Sequence, residues 1–547
     1  MESSTAVPVH AESTGSTTIA DLIGLAAAKH GDAPAVRHKV DGEWRDVSYA
    51  QFGEIVSEVG RGLIDLGIAP GDRVAILCTT RPEWSYVDFG ITSAGAVVVP
   101  IYPTNSPEEC EWVAGNSESR AIVCEDASQV AKIRAVRGNL PTLETIVVID
   151  PSGDVGDAIP LDTLRERGRA HDRAELDARI AGVTPEQPYT IIYTSGTTGL
   201  SKGVLSPYLQ LYTTATVVYG YLREGEGILV NLPMFHVGGT SSLMIALIRS
   251  GSFHLVDGFS TDRFWDQIRR GQCTTTSGLI GIMGAFLMKS PPRPDDRQHG
   301  IRCMTGFPIN EQTVSIRDRF GIDFVTGFNM TELSAPLVSE LNSSVFGACG
   351  KPRTGVQCRL VDEHDMEVPD GTPGELIVRS EMPWTFNLGY DGLPEATARA
   401  WRNGWFHTGD ILRKDADGNY FFVDRLKDAI RRRGENVSSL EVEAAVRSFA
   451  AVDEVIAVGI PVESEEEVMV VIVAKAGQTI DPKALIEWLT PRMPYFAVPR
   501  FVRIVAAIPK TETNKQRKFP FREAGVTPDT WDRVAAGMVL KRERLSG

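Results

Sequence analysis

Apolar positions recur at helical spacing in some segments and in short continuous runs in others. Ile19 to Ala28 places its apolar residues at helical intervals and predicts an amphipathic helix. Val74–Leu77, Val97–Ile101, Ala121–Cys124 and Thr145–Ile149 are short β-branched runs separated by helix-length segments. Continuous apolar strands alternating with helices predict an α/β fold whose sheets are buried on both faces. Between 343 and 380 the texture changes. Gly347, Gly350, Gly355, Gly371 and Gly374 punctuate short strands such as Glu375–Arg379, as expected of a small β-rich subdomain. A charged stretch from Asp424 to Gly434, with arginines at 431, 432 and 433, follows. Beyond it a compact α+β unit is expected: a helix Leu440–Phe449, strands 454–460 and 468–474, a helix Pro482–Leu489 and a strand 501–508. The expected organisation is a loose tail over 1–16, an N-terminal domain over 17–426 containing the β-rich part at 343–424, and a C-terminal lid over 427–547.

A chain of 547 residues can bury a large core without disulfides or a structural metal. The net charge of −15 disfavours nucleic acid and anionic lipid as main partners, so a phosphate-bearing substrate needs a local positive site. No apolar run reaches the ~18 residues of a membrane span, and the N-terminus lacks a secretory signal pattern. The 7 cysteines are scattered, with no Cys-x-x-Cys pair, which fits reduced thiols and a cytoplasmic location.

The local positive site is expected at 189–204, Tyr-Thr-Ile-Ile-Tyr-Thr-Ser-Gly-Thr-Thr-Gly-Leu-Ser-Lys-Gly-Val. An apolar strand runs into a loop of small residues, and a lysine follows. Glycines let backbone N–H groups turn towards an anion. Thr194, Ser195, Gly196, Thr197 and Thr198 form the cradle, and Lys202 adds a mobile charge. Composition alone fits a flexible surface loop equally well; the full string is far more specific. It is not a Walker A loop.

This string resembles the signature of the adenylate-forming superfamily, which includes acyl-CoA synthetases, aryl-CoA ligases, beetle luciferases and peptide-synthetase adenylation domains. The resemblance runs from about Thr17 to Arg517, with further motifs in the family's order. Asn-Leu-Pro-Met-Phe-His-Val-Gly-Gly at 231–239 matches the Pro-x-Phe-His motif. It implies that His236 is a gate between acyl pocket and CoA channel, and not the anion that α-amino acid substrates need; a lone histidine on an apolar stretch is ordinarily a core residue. Thr-Gly-Phe-Asn-Met-Thr-Glu-Leu at 326–333 matches Tyr-Gly-x-Thr-Glu. The match implies Thr331 on the α-phosphate, Glu332 on magnesium and Phe328 stacking on adenine, with Asn329 replacing a glycine; an isolated Thr-Glu would be read as a helix cap. Thr-Gly-Phe-Pro at 305–308 stands for Gly-Gly-Ala-Pro, so Thr305 and Phe307 are larger than usual beside the nucleotide and acyl sites.

In Gly-Trp-Phe-His-Thr-Gly-Asp at 404–410, Asp410 resembles the carboxylate that accepts both ribose hydroxyls, with Arg425 its partner. Lys427 falls at the family's hinge, a position compatible with an ordinary solvated linker lysine. Gly434 begins Gly-Glu-Asn-Val-Ser-Ser-Leu-Glu, the loop that lines the CoA channel after the lid turns. The neighbouring arginines could meet CoA phosphates, though an exposed charge run is more often simply solvated. Lys515 in Pro-Lys-Thr-Glu-Thr-Asn-Lys resembles the lysine that stabilises charge during adenylation, with Asn514 replacing a glycine.

The resemblance implies an AMP-forming ligase that uses ATP, Mg2+ and coenzyme A on a small-molecule carboxylic acid. The small residues Gly238, Gly239, Gly278, Gly281 and Gly284 favour a bulky hydrophobic acid. A non-catalytic nucleotide-binding relative is disfavoured by the presence of Glu332, Asp410 and Lys515, and two enzymatic alternatives remain. The departures at Thr305, Phe307, Asn329 and Asn514 suit a chain specialised for thioester formation from a ready-made adenylate. A carrier thiol or an amine could also replace CoA.

Overall fold

The computed structural model describes residues 9–194, 201–256, 258–276, 278, 281–306, 309–432, 435–462, 465–510, 515–538 and 540. The first sheet orders its strands Ile159–Pro160, Thr145–Val148, Ala121–Cys124, Arg73–Leu77, Val97–Ile101, Pro188–Thr194 and Lys202–Pro207. All pairs are parallel except the last. Alternation along a strand explains its uniform apolarity. Val74 and Ile76 face a core with Phe52 and Phe89, while Ala75 and Leu77 face a second core with Cys110 and Val130. The four runs read as strands from the sequence are the centre of this sheet.

A second, mainly parallel sheet orders Thr275–Thr276, Gly227–Val230, Ser252–Leu255, Pro34–Val40 and Glu43–Ser48. The third sheet runs Cys303–Gly306, Asp323–Met330, Ser334–Val338, Ala348–Pro352, Tyr420–Arg425, Trp405–Lys414, Gly374–Ser380 and Val356–Val361. It is antiparallel beyond its first pair. The β-rich part expected over 343–424 therefore belongs to a sheet that starts forty residues earlier. That extension puts the strand leading to Glu332 and the strand carrying Asp410 in one sheet.

The loose tail expected over 1–16 is ordered from residue 9 onward. Ala11 and Ser16 are fully buried, and the Ser16 hydroxyl bonds Tyr212 at 2.5 Å and donates to Asp21 at 2.6 Å. Polar composition hid a segment that satisfies its hydroxyls inside the protein. Residues 1–8 lie outside the described residues.

The C-terminal unit is a four-stranded sheet, Val452–Val462, Glu465–Ala474, Phe501–Ile504 and Thr530–Asp532, with helices Ser439–Arg447 and Pro482–Leu489. The strand expected over 501–508 ends at Ile504, past which only Val505 still bonds to Ile472. Ile430 and Val437 already pack in this unit's core, whereas Arg425 still pairs with Asp410 in the third sheet. Among the described residues no helix is long and apolar enough to cross a membrane.

Candidate active site

Strands Pro188–Thr194 and Lys202–Pro207 form an antiparallel hairpin in which Thr194 pairs with Lys202. The rest of the expected cradle, Ser195, Gly196, Thr197 and Thr198, lies outside the described residues. Gly203 must be glycine, since a Cβ would sit 2.7 Å from the Ile191 side chain. The second strand of the hairpin also bonds to residues 388–391: Leu205 N–H donates to Gly389 O, and Asp391 N–H donates to Gly203 O at 2.8 Å. This pairing brings Tyr390 beneath Lys202, whose ammonium lies 4.9 Å from the ring centre.

The Tyr390 hydroxyl donates to Glu332 Oε1 at 3.0 Å. The Glu332 carbonyl accepts both the backbone N–H and the side-chain amide of Asn387, each at 2.9 Å. Burial pushes the Glu332 carboxyl above its ordinary value, opposed by hydrogen bonding and by the charges of Lys202 and Arg425. A single buried carboxylate beside a lysine fits magnesium carried in on nucleotide phosphates, which needs one or two protein carboxylates. The Thr331 carbonyl accepts from Gln210 at 2.9 Å, fixing the turn before Glu332. On the preceding strand Phe328 is buried against Leu333 and Leu337, and Asn329 is exposed.

Asp410 faces Arg425 across adjacent strands, with the guanidinium 3.6 Å from Oδ1. Burial raises the Asp410 carboxyl to about 6, against the pull of Arg425, Lys427 and Lys515, while Glu332 adds to the rise. Lys515 comes from the C-terminal unit. The residue is exposed, yet loss of water around its ammonium and then Arg425 hold it below its ordinary value, with Asp410 opposing. Lys515 also acts on His236, whose ring burial and this charge push down to about 4. His236 is therefore neutral. It caps the helix Val237–Ile248, accepting from Gly238 N–H at Nδ1 at 3.1 Å, so its hydrogen sits on Nε2.

The structure thus gathers Lys202, Glu332, Asp410, Arg425, His236 and Lys515. Phe307, Gly434 and Asn514 lie outside the described residues. Thr305, the other enlarged position, spends its hydroxyl on a hydrogen bond with Tyr221. Two of the small residues do not open space: a Cβ on Gly239 would overlap the Pro233 carbonyl, and one on Gly238 would come within 2.9 Å of Leu232. Arg432, grouped with possible CoA contacts, is buried instead. It donates to the carbonyls of Phe496 and Val498 and pairs with Glu467 at 2.7 Å.

Tyr390 and Asn387 escape sequence reasoning because nothing local distinguishes them; their roles come from a strand pairing across nearly two hundred residues. Glu454 is another such residue. It accepts from Lys510 at 2.8 Å and Gln516 at 3.0 Å, the two ends of the segment carrying Lys515. An isolated bridge between Lys510 and Gln516 closes that segment.

A large α/β domain, a small α+β lid supplying a lysine, and paired acidic and basic groups at a strand hairpin define the class of adenylate-forming enzymes. Residues 25–387 match the model of AMP-binding enzymes, and residues 441–515 match that of the AMP-binding enzyme C-terminal domain. The chain belongs to the AMP-binding enzyme family. It is 30% identical over 509 residues to crotonobetaine/carnitine–CoA ligase of Salmonella paratyphi B, covering 90% of this chain and 96% of the relative. The fold superposes on the anthranilate CoA ligase AuaEII in complex with anthranoyl-AMP with a TM-score of 0.78 at 24% identity, covering 98% of this chain and 100% of that one. A Mycobacterium tuberculosis fatty acyl CoA synthetase aligns with a TM-score of 0.70 at 25% identity, covering 93% and 98% of the two chains.

Proposed function

We propose that this site joins a bulky, hydrophobic carboxylic acid to coenzyme A through an acyl-adenylate. The enzyme is an AMP-forming acid–CoA ligase, with ATP, Mg2+ and CoA as its reaction partners. In the first half-reaction the acid's carboxylate oxygen attacks the α-phosphorus of ATP, and the bond to pyrophosphate breaks. In the second, the CoA thiol attacks the acyl carbonyl, and AMP leaves with the bonding electrons. Two easier displacements replace one of hydroxide.

The convergence of Lys515 with Asp410 and His236 carries the reading. Asp410 and Arg425 hold the ribose end of the nucleotide. The phosphate end falls to the cradle Thr194–Thr198, to Lys202 and to Thr331. Glu332 is the side chain that would hold magnesium, which would neutralise phosphate charge. Phe328, Asn329 and Phe307 border the adenine side. Lys515 stabilises charge on the carboxylate and α-phosphate. Rotation about Lys427 then withdraws Lys515 and brings up the loop at Gly434, while neutral His236 gates the acyl channel. The domains over 17–426 and 427–547 are the moving bodies. A cytoplasmic location belongs to this reading and is supported by seven free cysteines.

The neutral rings of Tyr219 and Tyr221 beside Thr305 favour an uncharged acyl body. An acid library, assayed separately for pyrophosphate release and for CoA thioester, tests the proposal. Hydrophobic acids should support both steps. Pyrophosphate release without thioester, across the whole library, would remove CoA as the acceptor; a preference for small charged acids would remove the hydrophobic substrate.

A further inference from the structure

Asp410 sits on an irregularity of the third sheet. Glu375 pairs with Ile411 and Ile377 with His407, so two steps on one strand oppose four on the other. The extra residues bulge outward and present Thr408, Gly409 and Asp410. Gly409 takes the left-handed conformation, with φ of 69°. A bulge of this kind re-aims a side chain but strips ladder partners from its own backbone. Those partners are replaced locally. Asp410 N–H donates to Thr408 Oγ1 at 3.1 Å, and the Thr408 hydroxyl donates to Leu376 O at 2.7 Å. Gly409 N–H donates to Glu375 Oε1 at 3.0 Å.

The Glu375 carboxylate is buried and doubly held. Its Oε2 accepts from His407 Nδ1 at 2.9 Å and from Arg402 at 3.3 Å. Arg402 and Asn403 are in turn held by Asp365. With its Nδ1 hydrogen given to Glu375, His407 keeps Nε2 buried without a partner among the described residues. A side chain present only to fill space would not strand a polar atom in that way.

The geometry points to Glu375 as a positioning residue: with His407 and Arg402 it forms a clasp on Gly409 N–H that fixes the bulge and aims the Asp410 carboxylate. This rests on the assignment of Asp410 to the nucleotide ribose. Charge-assisted hydrogen bonds are the strong kind, and small misplacement of a binding group is costly. Glu375 touches no substrate; it acts through Asp410 alone.

AMP affinity, measured by titration calorimetry on the full chain, tests the clasp without knowledge of the acid. Glu375→Ala should weaken AMP binding about tenfold. Glu375→Gln keeps the shape but has one acceptor oxygen to share between Gly409 and His407, and should lose about threefold. In an Asp410→Ala background neither substitution should weaken AMP further, because the carboxylate being aimed is gone. Should Glu375→Ala not fold, Glu375→Gln carries the same cycle. Unchanged affinity in a folded Glu375 variant, or losses that simply add to those of Asp410→Ala, overturns the clasp while leaving the ribose assignment standing. Unchanged affinity in Asp410→Ala alone overturns the ribose assignment, and the clasp's function with it.

Discussion

Tyr390 donates its hydroxyl to Glu332 Oε1 at 3.0 Å while its ring lies beneath the ammonium of Lys202. One side chain thereby sets the spacing of an acid and a base. Tyr390→Phe keeps the ring under Lys202 and removes only the donor. The Glu332 carboxyl, already raised by burial, should rise further, because a bond favouring its charged form is lost. The Michaelis constant for Mg-ATP should increase about tenfold, in line with ~1.5–3 kcal/mol for a hydrogen bond to a charged group. The acid limb of the adenylation pH profile should move to higher pH. Adenosine affinity should not change; a parallel loss there would show that Tyr390 supports the whole pocket.

Glu454 holds both ends of the segment that carries Lys515. In the proposed mechanism Lys515 serves adenylation only, so loosening the segment that carries it should separate the half-reactions. Glu454→Ala should slow adenylation about two- to fivefold, the size expected of ~0.2–1 kcal/mol from a partly exposed pair. CoA thioester formation from supplied acyl-adenylate should keep its rate. Equal slowing of both steps would argue that Glu454 supports the lid as a whole.

Burial raises Asp410 to about 6 in the free protein. In the proposed mechanism ribose hydroxyls donate to the ionised form, so adenosine affinity should be full above pH 7 and fall as pH drops through 6. Adenosine is the suitable probe because it has no titrating phosphate. The stability linkage runs the other way. The folded carboxyl takes up a proton more readily than the unfolded one, so its contribution is complete below about 4 and is lost as pH rises through 6. A flat adenosine affinity from pH 5 to 8 in the wild type would remove Asp410 from the ribose.

Asp88 lies in the middle of helix Pro82–Ser93, buried, with neither carboxylate oxygen bonded among the described residues. Burial pushes its carboxyl well above 3.8. Between its unfolded and folded values the native state binds a proton that the unfolded state releases. Stability therefore declines with rising pH in that window, by about 1.4 kcal/mol per pH unit for one group. Asp88→Asn removes that slope. The variant should gain melting temperature relative to the wild type between pH 5 and 8. Parallel stability curves for the two proteins would show that Asp88 has a partner for its charge.

What the sequence by itself determined is local. The apolar runs at Val97–Ile101 and Ala121–Cys124 are strands with those same bounds, because continuous β-branched residues suit a sheet buried on both faces. The order of motifs was sufficient to place the chain among adenylate-forming enzymes, since each motif is a short string whose chemistry depends on near neighbours. The helix Pro482–Leu489 was likewise legible from its period and its proline start. Tertiary structure decided the rest. Arg432 reads as a solvated charge beside two other arginines, yet its guanidinium is spent on Glu467 and two carbonyls inside the lid. Ser16 sits in a polar stretch, yet its hydroxyl is buried against Tyr212. Tyr390, Glu375 and Glu454 gain their roles from strand pairings and loop closures between segments far apart in the chain. A hydrogen bond is directional and short-ranged, so its partner is set by where the backbone finally brings a donor, and local periodicity records only which face a residue prefers.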